Sequence, residues 1–309
     1  SDVPTIQNLI LVSDINRFIF CFGANTLGTA VQDPMLIRWS DQESAVDWTP
    51  SATNQAGSLR LSRGSEIIAA NQSRQAVMVW TDTAVYTLQF LGGQAGWGAQ
   101  LVSGNISIIS SNAVAYANGV SYWMGKDKFY IYDGNVRALK CDLLRYVFND
   151  INWQQTGQIF AGTTEEYNEI WWFYCSEDSA TVDRYIVYNY QDSIWYNGTL
   201  ARTAWLDSGM RDFPLAATYT YNLVNHEEGV DDNETGTSTA INASITSGQF
   251  DTEDGHKFTL ISRIIPDMTF DGSTADSPSA TITLYPMQNS GSGYNDPLSE
   301  GLMGGDNVF

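Results

Sequence analysis

Two histidines, His226 and His256, and three cysteines, Cys21, Cys141 and Cys175, are all that this 309-residue chain offers for soft-metal, thiol or imidazole chemistry. The cysteines lie far apart, odd in number and without a C-x-x-C pair, which argues against a disulfide framework or a zinc site. They are expected to be small buried hydrophobes of a chain made in a reducing cytoplasm. Two histidines leave little material for a triad or a histidine-bound metal. "DDNETG", 231–236, opens like a calcium loop, with Asp231, Asn233 and Thr235 at alternate positions. Its twelfth position is Asn242 where a bidentate Glu is required, and no helical pattern flanks it, so a solvated linker is the better reading. Phosphate-binding glycine loops and a G-x-S-x-G elbow are absent from the sequence. No cofactor, metal or catalytic residue is therefore expected.

Glycoside hydrolysis needs only two carboxylates, and 35 acidic residues single out no pair. "WSDQESAVDWTP", 39–50, resembles the Asp-box of sialidases, but the glycine after the Asp is missing and the register differs. Five N-x-S/T sequons, at Asn71, Asn105, Asn197, Asn233 and Asn242, are what chance provides in a chain rich in Asn, Ser and Thr.

The elements that would position any such group are strands. The only helical pattern is "CDLLRYVFNDI", 141–151. Elsewhere, short runs rich in Val, Ile, Tyr, Phe and Trp alternate with Gly, Asn and Asp. Residues 65–103 read as four strands, 66–71, 76–81, 84–90 and 97–102, joined by short polar or glycine-bearing turns. The scheme returns over 112–141 ("NAVAYA", "GVSYWMG", "KFYIYDG", "NVRALKC") and over 157–199 ("GQIFAGTT", "NEIWWFYCSE", "DRYIVYNYQ", "SIWYNGTL"). The second strands begin near 76, 119 and 168, a spacing of 43 and then 49 residues. Four-strand units at that period are the signature of propeller blades. The aromatic block "IWWFY" then reads as a strand covered on both faces by neighbouring blades.

A partial unit precedes these ("LILVSD", "RFIFCFG", "MLIRWS"), expected to lack its outer strand and followed by a polar insertion at 41–64. Another follows over 203–227 ("TAWLD", "PLAATYT", "YNLVNHE"). The expected architecture is all-β: a propeller-like domain of about five to six blades at 1–227, then a smaller β-platform or sandwich portion at 228–309. Strands are expected there at "SITSGQFD", "FTLISRIIPDMTF" and "SATITLYPMQ", with 290–309 a poorly packed tail or one ordered only against a partner. Trp48 in the insertion and Tyr294 in the tail are candidate interface aromatics, with a blade-edge cover as the other reading of Trp48.

With 35 acidic and 15 basic residues the net charge is −20, which disfavours a binder that neutralises phosphates. It fits a soluble surface, or one past which DNA moves without adhering. No apolar run is long enough to span a bilayer. The opening "SDVPTIQNLILVSD" lacks the basic start and small-residue cleavage site of a secretory signal, and the missing initiator Met is expected of a trimmed chain.

An ordered series of phrases resembles a group of tailed-phage virion proteins, the tail-nozzle, hub and packaged-DNA stabilisation type. The phrases are "IRWSDQESAVDWTP" (37–50), "GSLRLSRGSEIIAA" (57–70), "VWTDTAVYTLQFLGG…WG" (79–98), "YWMGKDKFYIYDGNVRAL" (122–139), "NEIWWFY" (168–174), "DRYIVYNYQDSIWYNGTLARTAW" (183–205), "NHEEG" (225–229) and "RIIPDMTFDGS" (263–273). The resemblance implies a propeller-like domain beside a smaller β-platform and no enzymatic activity. It also implies a homo-oligomeric ring, a hexamer by preference, around the DNA exit channel, in contact with other tail or connector proteins. Such a protein would be assembled in the bacterial cytoplasm, reside in the virion tail and let double-stranded DNA pass without reading its sequence. Longer relatives supply further N-terminal strands, so this chain is expected to be a shortened form. The competing expectation is a phage or secreted propeller that binds or cleaves carbohydrate.

Overall fold

Ile170 to Tyr174 answer the question that their aromatic bulk raises. In a strand, successive side chains point to opposite faces, yet all five positions are buried. In the computed structural model Ile170, Trp172 and Tyr174 join one core together with Trp123 and Phe129. Trp171, Phe173 and Cys175 join a second, with Val182, Val187 and Trp205. The run is continuous because each face has its own neighbour.

The structure describes residues 2–74, 76–241, 243–248, 250, 260–271, 273, 277–287 and 298–303. The chain divides into two units, Ser1–Glu228 and Gly229–Phe309. The expected boundary after residue 227 lies one residue away.

The first unit is a succession of antiparallel meanders. β1 (Leu9–Ser13), β2 (Phe18–Phe22), β3 (Leu36–Trp39) and β4 (Gly57–Arg60) form the first sheet, in that order. The second comprises β5 (Ile67–Gln72), β6 (Val77–Thr81), β7 (Ala84–Phe90) and β8 (Trp97–Gly104). The third comprises β9 (Val114–Ala117), β10 (Val120–Met124), β11 (Phe129–Tyr132) and β12 (Val136–Leu139). Helix α1 (Leu144–Asp150) lies between the third and fourth sheets, where the sequence places its one helical pattern. The fourth is β13 (Phe160–Thr164), β14 (Glu169–Tyr174), β15 (Arg184–Asn189) and β16 (Ile194–Thr199). A three-stranded fifth follows: β17 (Ala204–Leu206), β18 (Leu215–Ala217) and β19 (Leu223–Asn225).

The first strands of the sheets are mutual neighbours, β1 beside β5, β5 beside β9, β9 beside β13 and β13 beside β17. Consecutive meanders with adjacent inner strands make this unit all-β and propeller-like, with five blade-like sheets among the described residues. One expectation is corrected here. The first sheet does not lack its outer strand: "GSLR" inside the 41–64 insertion pairs with β3 along its whole length, Leu36 opposite Arg60 and Trp39 opposite Gly57.

Indole N–H groups tie sheet to sheet. Trp172 Nε1 donates to the carbonyl of Ala113 at 3.1 Å, joining the fourth sheet to the start of the third. Trp195 Nε1 donates to Lys140 O at 2.8 Å, and Trp205 Nε1 to Thr163 O at 2.9 Å. Gly162 is where the last contact becomes possible, because a Cβ there would sit 2.5 Å from Cδ1 of Trp205. Trp80 and Trp123 meet edge to face at 5.4 Å between the second and third sheets.

In the second unit β20 (Asp231–Asp232) pairs with β21 (Thr239–Ala240), and β22 (Ser279–Leu284) with β23 (Leu298–Met303). The segment read as a poorly packed tail thus supplies a strand. The described parts of the runs expected at 244–251 and 258–270 carry no strand: residues 244–248, 250 and 260–270 have no ladder partner, and apolar sequence alone does not make a strand.

Candidate functional site

The inner strands come together at their ends around a cavity of about 610 Å³, a size in the range of small-molecule sites. Asn71 comes from β5, Asn112 and Ser111 from the approach to β9, and Gln158 and Phe160 from the entry to β13. Tyr219 closes the fifth-sheet side; its hydroxyl accepts the Val182 N–H at 2.8 Å. Phe160 is held flat against Phe173, ring centroids 4.7 Å apart and 15° from parallel. A second hollow of about 560 Å³, sharing Ser111 and Gly157, continues toward Gln7 and Asn8. No charged side chain lines either hollow.

The acids closest to a shared arrangement lie at the junction of the fourth and fifth sheets. The Glu169 carboxylate accepts from Trp171 Nε1 at 3.0 Å and, through its other oxygen, from the Tyr196 hydroxyl. Burial pushes the Glu169 carboxyl above its usual range, against the opposing effect of those two donors. Burial, then the charges of Glu169 and Glu166, raises Glu227 in the same direction. Beside them, Trp205 stacks on Trp171 at 5.1 Å and packs against His226 at 4.7 Å. Buried Arg202 donates from Nε to His226 Nε2 at 2.9 Å. These groups hold one another, and the seam joins two sheets.

Neither protein-family models nor curated proteins match the chain. Among solved structures it is similar to Hsv2 of Kluyvelomyces marxianus, at 9% identity and a TM-score of 0.39, over 75% of this chain and 64% of that one. It therefore spans less than two thirds of that protein's length. The architecture rests on the sheets described above.

Trp48, read as either an interface aromatic or a blade-edge cover, is 3% exposed. It packs on Cys21 and Ala24 and donates from Nε1 to Ala45 O at 2.9 Å. It is a cover for the outer face of the first sheet, because the insertion folds back through the Asp41 N–H to Asp47 O bond. Tyr294 lies outside the described residues. Asp231, Asn233 and Thr235 are exposed in the β20–β21 hairpin, where Asp231 accepts from Ser238 Oγ at 2.9 Å and Asn233 O from the Gly236 N–H at 3.0 Å. The hairpin uses these groups to close its own turn. Among the described residues no three His, Cys, Asp or Glu side chains converge as a metal site requires. The three cysteines are free thiols, and burial pushes Cys21 and Cys175 up to about 11 and Cys141 up to about 12, so none is an activated nucleophile. Among the described residues no helix is long and apolar enough to cross a membrane.

Sequence reasoning missed the cavity. Asn71 stood out only as a sequon, and Asn112, Ser111, Gln158 and Tyr219 carry no local pattern. Asn71, Ser111, Asn112 and Gln158 share one signal, a position at or next to an inner strand of a four-strand unit, while Tyr219 lies in the turn between β18 and β19.

Proposed function

We propose that this chain is a non-enzymatic structural component of a tailed-phage virion, part of the tail or head–tail channel through which DNA is retained and ejected. The observation that carries the reading is where the charge lies. Among the described residues no Asp or Glu is fully buried, Glu169 being half-buried, whereas two arginines, Arg38 and Arg202, are buried. With two cations buried and most acids exposed, the surface carries the acidity that the net charge of −20 implies. Such a surface repels phosphate, so a duplex slides past it without adhering. The ordered phrases that resemble virion proteins support the same reading, and those from 37 to 205 run through the strands that build the sheets.

In this proposal several copies, six by preference, close into a ring by heterologous contacts beside neighbouring tail or connector proteins. The protein assembles in the bacterial cytoplasm and ends in the virion tail. The test is light scattering on the purified chain together with negative-stain class averages of the same fraction. A closed ring with a central hole about 20 Å or more across, the width of a duplex, is the expected result. A monomer at all concentrations, or tight binding to duplex DNA at physiological salt, would overturn it.

A further inference from the structure

The cavity at the inner strand ends has a lining whose chemistry is selective. Its polar groups are amides and hydroxyls, those of Asn71, Ser111, Asn112, Gln158, Thr203 and Tyr219. Among the described residues no hydrogen bond involves the side chains of Asn71, Ser111 or Asn112, while the Gln158 amide nitrogen donates to Gln155 Oε1 at 2.6 Å and Ala180 O at 2.9 Å and its oxygen accepts none. The Asn71 and Asn112 amides offer both donors and acceptors, the Ser111 hydroxyl does the same, and Gln158 contributes an acceptor. Two aromatic walls flank them, Phe160 braced by Phe173 and Tyr219 pinned at its hydroxyl.

We infer that this cavity is a binding site for a neutral, polyhydroxylated ligand, two or three linked sugar residues in size. The reasoning is by complementarity. Sugar hydroxyls donate and accept, as the lining does, and the apolar C–H face of a sugar ring packs on an aromatic wall. An anion finds no cation in the lining and is repelled at a distance by the net charge of −20. A cation finds no carboxylate there. A purely apolar ligand would displace water from the half-exposed and exposed side chains of Asn71, Ser111, Asn112 and Gln158 and offer them no hydrogen bond in exchange. An extended peptide would need a free strand edge. The edge of β13 facing the cavity is already bridged, with the Ala161 N–H donating to Asn112 O at 2.7 Å. Hydrolysis is not part of the inference, since no carboxylate lines the cavity to act as acid or nucleophile. The site is independent of the channel proposal, and either can stand without the other.

The test is titration calorimetry on the purified chain with maltotriose, chitotriose and 3′-sialyllactose, and with tetraglycine as a neutral peptide. At least one of the two neutral trisaccharides should bind saturably at one site, with a Kd of about 1 mM or tighter. Asn71→Ala and Asn112→Ala should each weaken that binding about tenfold while leaving Tm unchanged. Asn112→Asp should weaken it for neutral sugars without creating affinity for sialyllactose. The inference is overturned if neither neutral trisaccharide saturates, if sialyllactose or tetraglycine binds as well as they do, or if the two alanine variants bind like the parent.

Discussion

The fourth sheet and the two sheets that end the series follow one strand scheme, yet they treat apolar residues differently. In β14 every residue from Ile170 to Tyr174 is buried, one face against the third sheet and the other against the fifth. β1 is as apolar in composition, but only Leu9 and Leu11 pack inward, while Ile10 and Val12 stand 59% and 63% exposed. β17 behaves likewise: Trp205 packs on Trp171, and Leu206 on its other face is 58% exposed. An apolar strand therefore reports a capacity for two covered faces; a following sheet decides whether both are covered. The exposed faces carry Ile10 and Val12 on the first sheet and Leu206 and Leu223 on the fifth.

The largest test of this contrast is Trp172→Ala. It removes a side chain with no exposure that fills the space between the third and fourth sheets and donates to Ala113 O. It should cost about 3–5 kcal/mol in chemical denaturation. A loss under about 1 kcal/mol would mean that the sheets do not depend on each other for stability. A matched pair sharpens the point. Val187→Thr places a hydroxyl in the core between the fourth and fifth sheets and should cost about 1–3 kcal/mol. Val12→Thr on the exposed face should stay within about 0.5 kcal/mol. Equal losses would break the comparison.

The smallest effect concerns the seam acids. A carboxyl whose pKa is raised on folding binds more protons in the folded state than in the unfolded one over the window between the two values. Stability from this source is therefore full below the ordinary carboxylate pKa and is lost as pH rises through the raised value. Glu227 is raised by burial and by Glu169 and Glu166. Glu227→Gln should accordingly raise Tm at neutral pH by about 2 °C or less, and the gain should vanish as pH falls below the ordinary carboxylate range. A gain that persists at low pH would assign the effect to something other than charge.

Much of the architecture was legible because its signal is local. The strands of the second to fourth sheets and α1 carry their own period and turn residues, and they fall close to the expected positions. What was not legible depends on pairing across distance. β4 hid in a polar insertion because an outer strand needs only alternate cover, and its burial does alternate. Trp48 was ambiguous because a loop aromatic reads the same whether it covers its own sheet or faces solvent. β23 was missed because "LSEGLM" acquires its identity from β22. The cavity was invisible for a stronger reason: its lining comes from residues scattered from Asn71 to Tyr219 that only the stacking of sheets brings together.

The chain order of the sheets also sets a timetable for synthesis. Each sheet is complete before the next begins, and each inner strand lies beside the one made before it. The second strands of the middle sheets start at Val77, Val120 and Glu169. At about 5–20 residues per second, a finished sheet waits roughly 2–10 s for its successor. During that interval the face holding Met78, Trp80 and Val85 has not yet met Trp123 and its neighbours. A ribosome stalled between the second and third sheets would thus hold a folded but sticky intermediate, which is the stage at which chaperones have most to protect.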